Sequence, residues 1–313
     1  MSEATYYKDE DVRDYTPVAA VTGGEVIQLA DGRAAYAPRD IAAGILGAVQ
    51  TEGVVTVAKT TSMVILDGGR VFWDVSASKS HYRPESGTQD FYMGTAVGDA
   101  TSAATTMKVA LNCRPNYTID SRQGIWTADA TLGLGVTMLP GGGARLEFDA
   151  VAEAAQAAVY SDHSLPATSN PIFEGRMAIF NIGDDAALDI DFGLASGSHA
   201  TDFESVANFV TVHLDGNALD IKVQSDDGTT DVAAADSLID AVDDTYFEVW
   251  IDCRDTSDVQ VYVNGVDAVP AGTTLTLAAA SNNLKPIAII EKTSNDTVAD
   301  VRVDFMRVRT ADQ

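Results

Sequence analysis

The sequence predicts an all-β protein with a compact β domain followed by a larger β-sandwich or barrel. Short apolar runs recur along the chain, and Gly-Gly, Asp-Gly or Asn-Gly pairs separate many of them. Such pairs are typical of tight hairpin turns. Little of the chain has helical periodicity, and many short strands at regular spacing favour a sandwich or barrel.

The chain length predicts two domains, since 313 residues exceed the roughly 100–200 of a single domain. The opening residues lack apolar periodicity and indicate an extended arm. A polar segment with Pro115 and Gly124 indicates a linker. The expected order is an arm over residues 1–16, a first domain over 17–113, a linker over 114–124 and a second domain over 125–313.

Strands of the first domain are predicted from apolar runs at residues 18–21, 26–29 and 34–37, separated by turns at Gly23-Gly24 and Asp31-Gly32. Residues 47–59 predict one long strand or a bulged pair, with Gly53 as the bulge.

Alternation in the second domain is clearest at residues 247–252. Phe247, Val249 and Ile251 share one face there, and a period of two places one face on a core and the other in solvent. Residues 233–242 form the one mild helical candidate. The Ala-rich residues 153–158 fit a strand or a helical turn.

The net charge of -26 is unevenly distributed: 14 acidic and 9 basic residues lie up to Cys113, and 32 acidic and 11 basic residues lie after it. Such a surface repels nucleic acid and anionic membranes, so neither is an expected partner. The acidity fits a halotolerant source or plain solubility as well as a functional role. Cys113 and Cys253 lack metal-ligand spacing and are expected to be free thiols. No signal peptide or membrane-spanning apolar run is visible, which predicts synthesis in a cytoplasm and a soluble chain.

Residues 40–55 read DIAAGILGAVQTEGVV, residues 68–74 read GGRVFWD and residues 94–97 read GTAV. In order and spacing this pattern resembles a family of tailed-phage proteins associated with capsid decoration. The resemblance covers about residues 1–112. A long polar insert before Phe91 and the whole second domain depart from the family pattern.

The resemblance implies a β-barrel-like or β-tulip domain, a homotrimer on the outer capsid surface of the virion, and the major capsid protein as partner. It also implies that the N-terminal arm joins the capsid. An extended arm can add a strand to a partner's sheet edge, and trimeric avidity would offset its ordering cost. The candidate capsid-binding residues of the arm are Tyr6, Tyr7, Asp9, Val12 and Tyr15.

The second half resembles the concanavalin-like (laminin G-like) jelly rolls attached to phage structural proteins. The resemblance is carried by FEGRMAI at residues 173–179, YFEVWID at 246–252, VQVYVNG at 259–265 and the final alternating run at 301–308. An antiparallel jelly-roll sandwich is the fold it implies, and a fold alone does not give a function.

Chemistry-bearing residues are sparse. The histidines His81, His163, His199 and His213 form no catalytic or metal motif, and no nucleophile elbow or phosphate loop is present, so we expect no enzyme and no catalytic residues. A carboxylate pair beside an aromatic could contact a glycan, although a solvated outer face is the simpler interpretation. The residues of that candidate glycan contact are Glu248, Trp250 and Asp252.

No cofactor is expected, and calcium is the one ion for which the sequence offers candidates. These are acidic pairs in predicted loops, for which turn formation is the commoner explanation. The pairs are Asp184-Asp185, Asp226-Asp227 and Asp243-Asp244.

The function that the sequence favours is capsid decoration and head stabilisation, with the second domain displayed outward. An alternative is a carbohydrate-binding adhesin that meets host-surface glycans, and a glycan hydrolase is a weaker third.

Overall fold

The computed structural model describes residues 11–84, 89–123, 126–131, 135–200 and 202–310. It confirms the all-β class: nearly every regular element is an antiparallel strand, and the helices described are three-residue 3-10 turns. The chain forms two compact units, residues 1–116 and 117–313, which divide inside the expected linker. Among the residues described, no helix has the length and apolarity needed to cross a membrane.

The first unit consists of two antiparallel sheets. One is four-stranded in the order β1-β4-β3-β2, and the other is five-stranded in the order β5-β9-β8-β6-β7. Their strands are β1 (Val12–Tyr15), β2 (Val26–Gln28), β3 (Ala34–Tyr36), β4 (Gly47–Gln50), β5 (Val54–Ala58), β6 (Arg70–Asp74), β7 (Lys79–His81), β8 (Phe91–Ala96) and β9 (Thr106–Leu111).

Gly53 does not form a bulge within one strand, as the sequence suggested. It adopts a φ of 97° between β4 and β5, which belong to different sheets, so the predicted long strand is a corner. The run at residues 18–21 forms no strand either. Only Val21 pairs, in an isolated bridge with Ile41, and Val18 is fully exposed.

Asn112 ties the two sheets of the first unit together. Its side chain accepts a hydrogen bond from the Ala34 N–H at 2.9 Å and donates to the carbonyls of Ala34 at 2.9 Å and Thr51 at 2.6 Å. Its positive φ of 58° is tolerated by asparagine better than by most residues. One side chain thus satisfies backbone groups in β3 and in the β4–β5 corner.

The second unit is a sandwich of an eight-stranded and a seven-stranded sheet. The eight-stranded sheet runs β12-β13-β24-β15-β20-β21-β22, with β10 also paired to β24, and the seven-stranded sheet runs β11-β14-β23-β16-β17-β18-β19. The strands are β10 (Ile119–Asp120), β11 (Trp126–Ala130), β12 (Gly135–Leu139), β13 (Gly143–Phe148), β14 (Glu153–Ser161), β15 (Pro171–Asn181), β16 (Leu188–Ala195), β17 (Phe209–Asp215), β18 (Asp220–Asp226), β19 (Asp231–Asp240), β20 (Phe247–Asp252), β21 (Gln260–Val263), β22 (Val266–Asp267), β23 (Lys285–Asn295) and β24 (Ala299–Thr310). Three-residue 3-10 helices lie at Ser121–Gln123, Ala167–Ser169 and Phe203–Ser205.

The core of the second unit lies between its two sheets. Phe173 of β15 and Phe192 of β16 meet edge to face with ring centroids 5.3 Å apart, and both are fully buried. Each strand contributes every second residue to this layer, as Val249 and Ile251 do from β20. Alternation therefore specifies the side of each strand that faces the core.

Two local expectations are settled here. The helical candidate at residues 233–242 is wrong, because most of that segment lies in β19, which pairs with β18 along its length apart from two register shifts. The Ala-rich segment at 153–158 is a strand, within β14. Alanines pack there against the opposite sheet, so pairing outweighs their helical preference.

Candidate functional site

The last part of the predicted arm lies in a strand of the first unit. Tyr6, Tyr7 and Asp9 lie outside the described residues. Val12 and Tyr15 belong to β1, which pairs antiparallel with β4. The expectation that the N-terminal arm extends to residue 16 is therefore wrong for these two, which pair within the first unit. They lie in a sheet because β4 supplies an edge for them.

Two loops beside β1 carry exposed apolar side chains. A hydrogen bond of 2.8 Å from the Gly44 N–H to the Pro17 carbonyl joins these loops. Val18, Leu46 and Ile45 are 100%, 67% and 59% exposed. We call these three residues the apolar tip. Large exposed apolar residues grouped in this way are typical of contact surfaces.

The outer face of β20 is covered. Glu248, Trp250 and Asp252 are all less than a tenth exposed, so the solvated face that the sequence favoured is not observed. Arg254 holds Asp252 through two hydrogen bonds, of 2.9 and 2.6 Å. Strand β20 lies inside the sheet between β15 and β21, and the register places Glu174 and Tyr262 directly beside Trp250. The three residues therefore present no open surface to a sugar.

A polar cluster lies on the seven-stranded sheet, on the side that faces away from the core. Register places Asp191 of β16 directly opposite His213 of β17. Nε2 of His213 lies 2.9 Å from Asp215 and Nδ1 lies 3.3 Å from Asp191. Asp191 also accepts hydrogen bonds from Thr211 at 2.9 Å and Gln224 at 2.7 Å. Both histidine nitrogens thus face carboxylates, although Asp191 and His213 are buried.

Burial and crowding shift the pKa values of this cluster. Burial alone would lower the pKa of His213, but the charge of Asp191 and hydrogen bonds to Asp191 and Asp215 raise it to about 10. Burial raises the pKa of Asp189 to about 7, against the opposing pull of His213. Burial also raises the pKa of Glu291 to about 8, and nearby carboxylates add to the effect. His213 is therefore a cation at neutral pH.

A second group of carboxylates adjoins this cluster. Asp202 and Glu204 lie at the start of a 3-10 helix, and Glu291 reaches them from β23. One oxygen of each lies within 4.8 Å of the others. Oε1 of Glu291 accepts a hydrogen bond from the Phe203 N–H at 2.8 Å. Phe203 itself is fully buried in a small apolar cluster with Val206 and other residues, and it anchors the loop over the sheet.

Three of the six aspartates considered for calcium accept backbone hydrogen bonds in turns or loops. Asp226 accepts from the Gly228 N–H at 2.7 Å, and Asp185 accepts from the Ala187 N–H at 2.9 Å. Asp227 accepts from the backbone of Thr230 at 2.8 Å and from two other N–H groups. In the described part of the chain, the groups that could hold a metal ion contain none of these six aspartates.

Sequence reasoning missed the polar cluster, although a signal was present. The segment from Leu188 to Phe192 alternates apolar and acidic residues, and Asp189 and Asp191 share the face opposite the core. Acidic side chains on one strand face are common on a solvated sheet. Only the register with β17 and β23 shows that histidine and further carboxylates meet them there.

Part of the chain matches a known family. Residues 7–111, about a third of the chain, match the phage cement proteins. The match supports a phage capsid-associated structural role and a place on the virion. No curated protein matches the chain significantly.

Several solved structures are similar in fold. The potassium-bound carbohydrate recognition domain of Emp46p has 11% identity and a TM-score of 0.40, and it covers 59% of this chain and 88% of its own. The corresponding domain of Emp47p has 12% identity and a TM-score of 0.42, with 60% and 89% covered. A β-1,3-glucanase from Mycobacterium marinum has 11% identity and a TM-score of 0.41, with 62% and 99% covered. At such identities the likeness concerns the fold alone.

Proposed function

We propose that this chain is a decoration protein that binds the major capsid protein of a phage through its first unit, stabilises the shell and carries the second unit outward. The observation that supports it is the match of residues 7–111 to the phage cement proteins. A ligand that binds only the assembled lattice raises the stability of that lattice by mass action.

The apolar tip is the capsid-contacting surface in this proposal. Val18 is fully exposed, and the Pro17–Gly44 hydrogen bond holds the two loops together. The backbone of the two loops therefore needs little ordering on contact, and burying the three side chains removes apolar surface from water. Strand β1 lies beside the tip and has β4 as its neighbour among the described residues, so its other side can accept or donate a strand.

A triple substitution tests the tip. Val18→Asp, Ile45→Asp and Leu46→Asp together place three charges where the capsid surface would lie. We expect at least a 10-fold loss in co-sedimentation with capsids of the parent phage that lack the protein. Leu238→Asp is the matched control, because Leu238 is 87% exposed but lies in the second unit. Full occupancy by the triple variant would remove the tip from the proposal.

A deletion tests the arm separately. Removing residues 2–10 takes away Tyr6, Tyr7 and Asp9 and leaves β1 in place. We expect a folded protein with reduced capsid occupancy. Deleting residues 1–16 is the poorer test, because it also removes the β1 pairing with β4. Unchanged occupancy after the shorter deletion would exclude the arm as a capsid contact. If both the deletion variant and the triple variant bind capsids as the wild type does, capsid binding by the arm and by the apolar tip is refuted.

A homotrimer belongs to the same proposal, since three linked copies would bind with higher avidity than one. No observation favours sugar binding by the predicted residues, because Glu248, Trp250 and Asp252 are covered. We therefore put forward no second function.

A further inference from the structure

A loop crosses the side of the seven-stranded sheet that faces away from the core, and two of its acidic residues lie close to an acidic residue of the sheet. Asp202 and Glu204 flank the buried Phe203, and Glu291 extends from β23 beneath them. The three carboxylates approach within 4.8 Å of one another. Like charges at that distance repel strongly unless a proton or a cation lies among them.

Glu291 shows that this site has an unused ligand atom. Its side chain is 2% exposed. Oε1 accepts the hydrogen bond from Phe203, whereas Oε2 is buried and has no hydrogen-bond partner. A buried carboxylate oxygen without a donor is costly, because its lost hydration is not replaced. No donor among the described residues compensates this atom, so a cation, which binds oxygen ligands, would complement it.

In the described part of the chain, no neighbouring cation donates a hydrogen bond to Oε2 of Glu291. Within the described cluster, His213 uses both ring nitrogens on Asp191 and Asp215, and Lys222 is paired with Asp215. These contacts lie on the β17 side of the cluster. Of the three carboxylates, Glu204 lies near His213, since one ligand atom of each and one of Asp191 lie within 4.8 Å of one another. No described hydrogen bond or ion pair of His213 or Lys222 reaches Asp202 or Glu291.

We propose that Asp202, Glu204 and Glu291 form a calcium site that fixes the loop to the sheet. The donors are all hard carboxylate oxygens, which suit Ca²⁺, and the engaged His213 offers no free nitrogen to a softer metal. Glu204 and Asp202 are exposed, so the ion has a path from solvent. Phe203 holds the loop in place before the ion arrives. This site is independent of the capsid-contacting surface.

Calorimetric titration of the full chain with CaCl₂, after dialysis against EDTA, tests the site. We expect one saturable site with a Kd of about 10⁻⁵–10⁻³ M, in the range of moderate to weak protein sites. Glu291→Gln and Glu204→Gln should each weaken it at least 10-fold. Glu153→Gln is the matched control: it removes the same charge from the same sheet and should bind as the wild type does.

Thermal unfolding provides the second measurement. Saturating Ca²⁺ should raise the Tm of the wild type and of Glu153→Gln, and should raise it little in the other two variants. Glu204→Gln keeps the test valid if Glu291→Gln fails to fold, since Glu204 is exposed. Absence of saturable binding up to 10-fold above the expected Kd range overturns the proposal. Wild-type affinity in Glu204→Gln also overturns it.

Discussion

Lys59 gives the sharpest test of how the first unit is held together. It is 1% exposed, and its ammonium donates to the carbonyls of Thr60 at 2.9 Å, Met63 at 2.5 Å and Thr101 at 3.1 Å. The ammonium thus ties two loops at one end of the five-stranded sheet. Burial lowers its pKa, which shows that the protein bears a desolvation cost to keep the charge there.

Lys59→Met keeps the length of the side chain and removes the three hydrogen bonds. A buried carbonyl that loses its donor costs about 1–3 kcal/mol. Thr101 is exposed, so water can replace the donor at its carbonyl. The free-energy cost of a lost donor therefore falls on the carbonyls of Thr60 and Met63. The substitution also removes the desolvation cost of the buried ammonium, which offsets part of this loss. We therefore expect a net loss of about 3 kcal/mol in the free energy of unfolding of the first unit.

Urea unfolding of the full chain, followed by hydrogen exchange and mass spectrometry, assigns the loss to a unit. Peptides that cover residues 59–63 and 101 should lose protection first in Lys59→Met. Lys108→Met is the control: Lys108 is exposed on β9 of the same sheet, and its replacement should change stability by less than about 0.5 kcal/mol. If the two variants unfold at the same urea concentration with the same slope, the three hydrogen bonds do not stabilise the unit.

Three further predictions concern pH, backbone geometry and assembly. In EDTA the free energy of unfolding should fall by about 7 kcal/mol from pH 6 to pH 10. Folding raises the pKa of His213 to about 10 and that of Glu291 to about 8. The protonated forms of both groups therefore stabilise the fold. This stabilisation is complete below the unfolded pKa values and is lost as pH rises through the folded ones. Equilibrium unfolding across that range checks this, and a flat or rising profile contradicts it. Gly94→Ala should prevent stable folding of the first unit, because a Cβ would lie 2.0 Å from the Ala110 carbonyl oxygen. Gly197→Ala, where a Cβ meets nothing within 4 Å, is its control, and near-ultraviolet circular dichroism distinguishes them. Sedimentation equilibrium should give three copies of the 33.0 kDa chain, and a monomer at micromolar concentration would remove the trimer from the proposal.

The strands were predictable where alternation was strong, but the surroundings of their outer faces were not. At residues 247–252 the sequence correctly indicates a strand with Val249 and Ile251 on the core side. It could not indicate that Trp250 is also covered. That depends on the position of β20 inside an eight-stranded sheet, where β15 and β21 place Glu174 and Tyr262 beside Trp250. A two-residue alternation in the sequence shows which side chains share a face of the strand, but it does not show what packs against either face.

The polar cluster was harder to predict from the sequence, for a related reason. Asp191, His213 and Glu291 are far apart along the chain, and no spacing rule joins them. They meet because β16 pairs with β17 on one side and with β23 on the other, which places Asp191 opposite His213 and Asp189 opposite Glu291. A one-residue shift in either register would move one partner to the core side. The cluster is therefore a product of pairing.

The acidity of the second half is less a surface property than the composition suggests. Asp227 accepts backbone hydrogen bonds in a turn, and Asp191 and Glu291 are buried among polar partners. Charges used in this way contribute little to the repulsion between neighbouring molecules. Ca²⁺ bound at Asp202, Glu204 and Glu291 would reduce the effective charge further and would stiffen the loop above the sheet. In this view part of the acidic excess serves the internal architecture of the second unit, and only the remainder acts on its surroundings.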